Sequence, residues 1–261
     1  MDLQSAIGLV ANCNDRSVLH DNLLASPDLI AGQIPIEIEY EPPAAGIGLN
    51  RAISRVRTRV VVCAHQDVYL PKGWLRRLVQ TIESLESRQK SWGVIGVVGV
   101  TLSGKLAGRS YSVGLAREVG TKITRPCPVV SLDELVLVVN RDSPARLDPN
   151  LPGFHLYGSD LAQKNVSLGW AALAIDNPLI HNSIRVVSLG VDYARAYRYM
   201  VEKWRDRLPI PTTVLPIAAS PWPLFRWRLT TVLARLHGRA QVNARHPSPG
   251  QLAAELGYSE T

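Results

Sequence analysis

Sulfur and aromatic rings are scarce in this sequence. Its 261 residues include three cysteines, Cys13, Cys63 and Cys127, and only 6% are Phe, Trp or Tyr. The cysteines are scattered with no Cys-x-x-Cys spacing, so no disulfide framework is expected, and a reducing, cytoplasmic setting fits. No apolar run has the length of a membrane span. The longest candidate, 94–102, is interrupted by Gly96 and Gly99. The first residues lack a basic region followed by an apolar stretch, so no signal peptide is expected. There is no Walker loop and no Gly-x-Gly-x-x-Gly, which argues against an ATPase or a dehydrogenase. No internal repeat is visible.

What is present describes a globular chain. Hydrophobic residues make up 46%, enough for a real core. The length suits one large α/β domain or two small ones. The net charge is +7. Such an excess attracts anionic partners: a phosphorylated substrate, anionic lipid or nucleic acid. Part of it is local, at Arg51, Arg55, Arg57 and Arg59 and again at Arg226, Arg228, Arg235 and Arg239. No nucleic-acid module accompanies it, so nucleic acid ranks last among the partners.

Hydrophobic periodicity orders the chain. Residues 6–13 read as a strand, 17–24 as a helix, and 35–40 as an alternating strand. A short basic helix is expected over 50–57. The run Val60-Val61-Val62-Cys63-Ala64 then reads as a buried strand that ends on His65-Gln66-Asp67. Pro71-Lys72-Gly73 turns the chain into an amphipathic helix over 74–85. Strand alternating with helix signals a parallel, helix-covered sheet. Ligands in such sheets lie outside the carboxyl ends of the strands, where Asp67 falls. Further on, 92–100 reads as one strand, 104–121 as a loop or irregular hairpin, and 128–139 as one or two strands. Helices are expected over 161–168 and 192–204, with a strand over 171–175 between them. Beyond Leu208 the composition shifts to a proline-rich connector, a basic aromatic helix over 224–238, and a polar, frayed tail from His246. The expected division is therefore 1–205 and 206–261.

Several stretches together resemble nucleotide-sugar glycosyltransferases of the GT-A fold, closest to the family-2-like branch. They are Asn50-Arg51-Ala52-Ile53, the run His65-Gln66-Asp67-Val68 followed by Pro71-Lys72-Gly73-Trp74, and Leu132-Asp133-Glu134. Gly153-Phe154-His155-Leu156-Tyr157-Gly158-Ser159-Asp160-Leu161 and Ile180-His181-Asn182-Ser183 follow in the same order. The resemblance covers about residues 5 to 185 and implies a Rossmann-like, mostly parallel α/β sheet covered by helices, with a C-terminal helical extension.

The resemblance also implies a function. A sugar would pass, with inversion, from a nucleoside-diphosphate-sugar donor to a hydroxyl of a glycan, polysaccharide or lipid-linked acceptor. A divalent cation, Mn²⁺ or Mg²⁺, would neutralise the leaving diphosphate. The family's usual Asp-x-Asp motif here has His65 in its first slot and Asp67 in its last. Asp67 and His181 are the implied metal ligands; the competing readings are a turn cap and a structural histidine. Manganese tolerates a nitrogen ligand better than magnesium does. Ala11, Asn12, Asn14, and Glu39 or Glu41 would cradle base and ribose, with His65 and Gln66 nearby. Asn50 and Arg51 would open a helix toward the diphosphate. Asp160 would be the general base, against the competing reading of a plain helix N-cap. Asp133 and Glu134 would contact the donor sugar or acceptor, or else brace a loop, the structural reading being the favoured one; in a strand they point to opposite faces, so at most one would face the site. The C-terminal helix is either an interfacial helix on an anionic membrane or a helix packed on the core or at a dimer contact. A non-catalytic nucleotide-sugar or glycan-binding scaffold is the alternative to the enzyme.

Overall fold

The computed structural model describes residues 6–32, 34–89, 91–184, 189–227, 229 and 244–260. Strand β1 (Ile7–Cys13) leads through helix α1 (Arg16–Asp21) and the short α2 (Pro27–Ile30) to β2 (Ile36–Tyr40). Helix α3 (Ala45–Arg55) precedes β3 (Val60–Ala64) and the two-residue β4 (Val68–Tyr69), and α4 (Trp74–Ser87) follows. The chain continues as β5 (Trp92–Gly96), β6 (Val98–Val100), β7 (Leu106–Ser112) and β8 (Arg117–Thr121). Next come β9 (Cys127–Pro128), β10 (Ser131–Leu132) and β11 (Val136–Asn140). Helix α5 (Tyr157–Ser167), β12 (Ala171–Ala174), β13 (Ile180–His181), α6 (Val191–Lys203) and α7 (Pro249–Glu255) complete the described elements.

Seven strands form the main sheet in the order β2-β1-β3-β11-β5-β12-β9. The pairs β1/β2, β1/β3 and β5/β12 are parallel, whereas β11 runs antiparallel to both its neighbours. Strand alternation sends successive side chains to opposite faces. Leu9, Val62 and Val138 accordingly join one buried cluster with Trp74, Leu78 and Ile82 of α4. Val10, Val61 and Leu137 join the other, with Leu49 of α3, Leu161 of α5 and Tyr197 of α6. Each fully buried Leu or Ile on these faces contributes roughly 1.5–3 kcal/mol of transfer free energy.

A second sheet, β10-β6-β7-β13-β4 with β8 on β7, packs beside the first. The expected single strand over 92–100 is divided at Val97: β5 belongs to the main sheet and β6 to the second. Gly108 lets the sheets meet. Its φ is +75°, and a Cβ there would lie 2.2 Å from the Val97 carbonyl oxygen. The stretch 104–121 is the hairpin β7/β8, and 128–139 contains parts of three strands rather than one or two.

Two further expectations change. Helix α3 begins at Ala45, five residues before Asn50, because the Ala45 amide is met by the Gly153 carbonyl at 2.9 Å. The tail is not frayed over 246–260. Ala253 and Tyr258 are buried against Tyr69 and Ile180, and Glu260 pairs with Arg76. The connector also packs on the main core, through Ile210 and Ile217. Of the basic helix expected over 224–238, residues up to 227 and Leu229 are described; the rest lies outside the described residues.

Candidate active site

The polar triplet at the end of β3 sits where two sheets diverge. The His65 amide donates to the Leu135 carbonyl at 2.9 Å, which ties the end of β3 to the turn before β11. Strand β4 then pairs antiparallel with β13, placing His181 opposite Val68. The Asn182 amide donates to the Asp67 carbonyl at 2.8 Å. Residues more than a hundred positions apart are thereby joined by backbone bonds.

Asp67 is 6% exposed and carries a histidine on each oxygen. His65 Nδ1 lies 2.5 Å from Oδ1, and His181 Nε2 lies 3.5 Å from Oδ2. Burial alone would push the Asp67 carboxyl up; the two imidazoles outweigh it and hold it well below the usual carboxylate range. The His65 ring is opposed by burial, but Asp67 and then Glu134 raise its basicity above that of a free imidazole. One ligand atom each from His65, Asp67 and His181 lies within 4.8 Å of the others. Two nitrogens and one carboxylate oxygen make a donor set that could hold a divalent cation.

Beside this cluster opens a cleft of about 410 Å³. Its wall includes Asn12, Asn14, Glu41, His65 and Gln66, all singled out from the sequence. Gln66 fastens two strand ends together. Its Oε1 accepts from the amides of Asn14 (3.0 Å) and Asp15 (3.2 Å), while its Nε2 donates to Asn14 Oδ1 at 2.5 Å. Cys13, Pro42, Leu49, Ala64, Phe154 and Tyr157 complete the wall, and sequence reasoning assigned none of these a role. Their apolar faces suit a flat base or sugar. For Phe154 and Tyr157 the available signal is their place between the tight turn at Gly153 and the start of α5.

Other sequence candidates lie elsewhere. Ala11 is fully buried between β2 and β3 and presents nothing to a ligand. Glu39 is engaged by Arg51 (3.4 Å) and Arg55 (2.9 Å). Asn50 and Arg51 do not open a helix; they lie in the body of α3, where neither has a free amide to offer an anion. Asn50 Nδ2 instead donates to the Leu147 carbonyl at 2.9 Å.

Asp160 is neither an N-cap nor part of the cleft wall. The cap residue of α5 is Leu156, and Asp160 follows within the first turn. Its side chain is 1% exposed. Oδ1 receives Lys203 Nζ at 2.6 Å and Trp204 Nε1 at 2.8 Å, while Oδ2 is buried without a partner. Burial raises its pKa, opposed by Lys203. Lys203 also reaches Asp148 at 2.5 Å, so the group clasps α6 to α5 and to the loop before it. An acceptor hydroxyl reaches Asp160 only if Lys203 and Trp204 move.

The turn between β10 and β11 presents Asp133 and Glu134. Asp133 Oδ2 accepts from Thr213 Oγ1 at 2.9 Å. Glu134 Oε1 accepts from the Gly158 amide at the start of α5, at 3.3 Å. The Tyr157 hydroxyl, on the cleft wall, donates to the Glu134 carbonyl at 3.3 Å. Burial, and then the Asp133 carboxylate, push the Glu134 carboxyl up to about 8.

No family model matches the chain. A Fuscovulum blasticum protein described as "ATP synthase subunits region ORF 6" is 32% identical over 167 residues, covering 61% of this chain. The chain spans 65% of that relative's length, and the description assigns no activity. Among solved structures, GalNAc-T7 with UDP, GalNAc and Mn²⁺ superposes with a TM-score of 0.50 at 11% identity, over 99% of this chain and 57% of that one. Mannosyltransferase PcManGT from Pyrobaculum calidifontis, in complex with GDP-Man and Mn²⁺, gives 0.49 at 11% identity, over 97% and 80%. Glucosyl-3-phosphoglycerate synthase from Mycobacterium tuberculosis, with Mn²⁺ and UDP, gives 0.41 at 15% identity, over 81% and 82%. The fold is GT-A.

Proposed function

We propose that this chain transfers a sugar, of the hexosyl class, from a nucleoside-diphosphate donor to a hydroxyl acceptor with inversion. The observation that carries the reading is the His65–Asp67–His181 cluster abutting a nucleotide-sized cleft. The GT-A likeness to a protein solved with UDP, GalNAc and Mn²⁺ supports it by analogy. Asn12, Asn14, Glu41 and Gln66 would meet base and ribose. His65, shared by cleft and cluster, would set the diphosphate end beside Asp67. A divalent cation, with Mn²⁺ favoured, would offset the charge that develops on the leaving diphosphate. Residues 1–205 would supply this machinery and 206–261 an extension. Trp222 and Phe225 are 60% and 56% exposed and stack at 5.7 Å beside Arg226, which supports a peripheral contact where a lipid-linked acceptor is met. The cytoplasmic setting remains part of the same reading.

The deciding experiment is calorimetry with UDP or GDP, with and without Mn²⁺, followed by a transfer assay over a panel of nucleotide sugars. Manganese-dependent nucleotide binding with turnover supports the enzyme. Binding without turnover across the panel favours the second reading, a nucleotide-sugar or glycan-binding scaffold. The observation behind that reading is the sealed Asp160 carboxylate, together with His65 where the family carries an acid.

A further inference from the structure

Of the motif Ile180-His181-Asn182-Ser183, the transferase reading uses only His181. Asn182 is 2% exposed, and both polar atoms of its side chain are engaged. Its Nδ2 donates to Asn22 Oδ1 at 2.7 Å and to the His246 carbonyl at 2.9 Å. Its Oδ1 accepts the His246 amide at 2.7 Å. Its own backbone amide donates to the Asp67 carbonyl at 2.8 Å. We infer that Asn182 is a positioning residue, through which the docked tail, residues 246–260, holds Asp67 and His181 in metal-binding register. The inference rests on the reading of His65, Asp67 and His181 as the cation site of a transferase.

Three segments meet at Asn182. The first is fixed: Asn22 caps the end of α1, and its Nδ2 donates to the Val18 carbonyl at 2.8 Å. The second carries the ligands. Asp67 precedes β4 and His181 ends β13, and each of these strands has two residues. Strands usually run to about 3–10 residues, so this ladder is too short to fix its own register firmly. A metal site needs its ligand distances held to about 0.2 Å. The third segment, the tail, supplies the missing support. Ala253 and Tyr258 are buried with Tyr69 and Ile180, which face each other in the same ladder. The tail is seated closely there, since a Cβ on Gly250 would lie 2.7 Å from the Tyr69 hydroxyl oxygen. Its far end is tied by the Glu260 amide, which donates to the Lys72 carbonyl at 3.1 Å. Asn182 joins the near end of this strap to the backbone of both ligands.

The bland role for Asn182 is to satisfy buried polar groups, in which case its removal lowers stability and leaves metal affinity alone. Metal binding separates the two roles. A docked tail that favours the metal must itself be favoured by the metal, and by the same factor. The test is Mn²⁺ calorimetry on the wild type, Asn182→Ala and Tyr258→Ala, with hydrogen exchange of the wild-type tail, read by mass spectrometry, with and without Mn²⁺. In folded Asn182→Ala the Kd for Mn²⁺ should rise about tenfold or more, the range for residues that orient metal ligands. In folded Tyr258→Ala, which loosens the tail on Tyr69 and Ile180, it should rise by more than about twofold. Saturating Mn²⁺ should slow exchange over 249–258 in the wild type about tenfold or more. Either folded variant within about twofold of the wild-type Kd overturns the inference. So does tail exchange that Mn²⁺ leaves unchanged, a result that needs no variant to fold. Wild-type protein that binds no Mn²⁺ overturns the cation site and this inference together. Coupling of metal and tail without sugar transfer from any donor supports this inference and overturns the transferase reading alone.

Discussion

Asp67→Asn tests the metal cluster with the least disturbance to shape. The replacement keeps one oxygen and the side-chain volume but removes the charge that two histidines share at 2.5 and 3.5 Å. Stranding a buried charge costs about 3–5 kcal/mol. That cost does not apply here, because an imidazole can release its proton. Burial already opposes the charged form of His65, and Asp67 is the largest influence that sustains it. The metal-free variant therefore loses little more than the hydrogen bonds, about 1–2 kcal/mol. Metal binding is affected far more, since the variant has no anionic ligand left in the cluster. Ligand at 100 times its Kd stabilises a protein by about 2.7 kcal/mol, or roughly 5–10 °C in Tm for a chain of this length. A Mn²⁺ titration by thermal unfolding should show that upward shift in the wild type and none in Asp67→Asn, with apo Tm values within a few degrees. A variant that keeps the full Mn²⁺ shift would refute the cluster as a metal site.

Gly48→Ala probes the cleft wall. Its Cβ would lie 2.1 Å from Asn12 Oδ1 and 2.6 Å from Pro42 Cγ. The expected result is a stability loss of about 1–3 kcal/mol and weaker nucleotide binding by calorimetry. Lys203→Met leaves Asp148 and Asp160 buried without their cation, and denaturant unfolding should report a loss of about 3 kcal/mol. Tyr258→Ala removes a ring packed on Tyr69 and Ile180 and its bond to Glu118, so a loss of about 3 kcal/mol is expected from the same measurement.

The sequence by itself determined the alternating strands and helices, the buried run ending in His65-Gln66-Asp67, and the likeness that pointed to a GT-A sheet. These are legible because periods of 2 and 3.6 residues record which face is buried, and because a buried strand must stop where polar residues begin. Asn12, Asn14, Glu41, His65 and Gln66 meet in the cleft for the same reason: each lies at or just past a strand end. Tertiary structure decided what local pattern leaves open. It started α3 at Ala45, because the distant Gly153 carbonyl meets that amide. It divided 92–100 between two sheets. It brought His181 to Asp67 through the β4/β13 pair and folded the tail onto Tyr69. It also sorted the carboxylates. Asp160 lost its access because Lys203 and Trp204, more than forty residues later, close over it. Glu134 instead accepts the Gly158 amide at the start of α5. A carboxylate's direction and partners are set by elements far away in sequence, and periodicity carries no record of them.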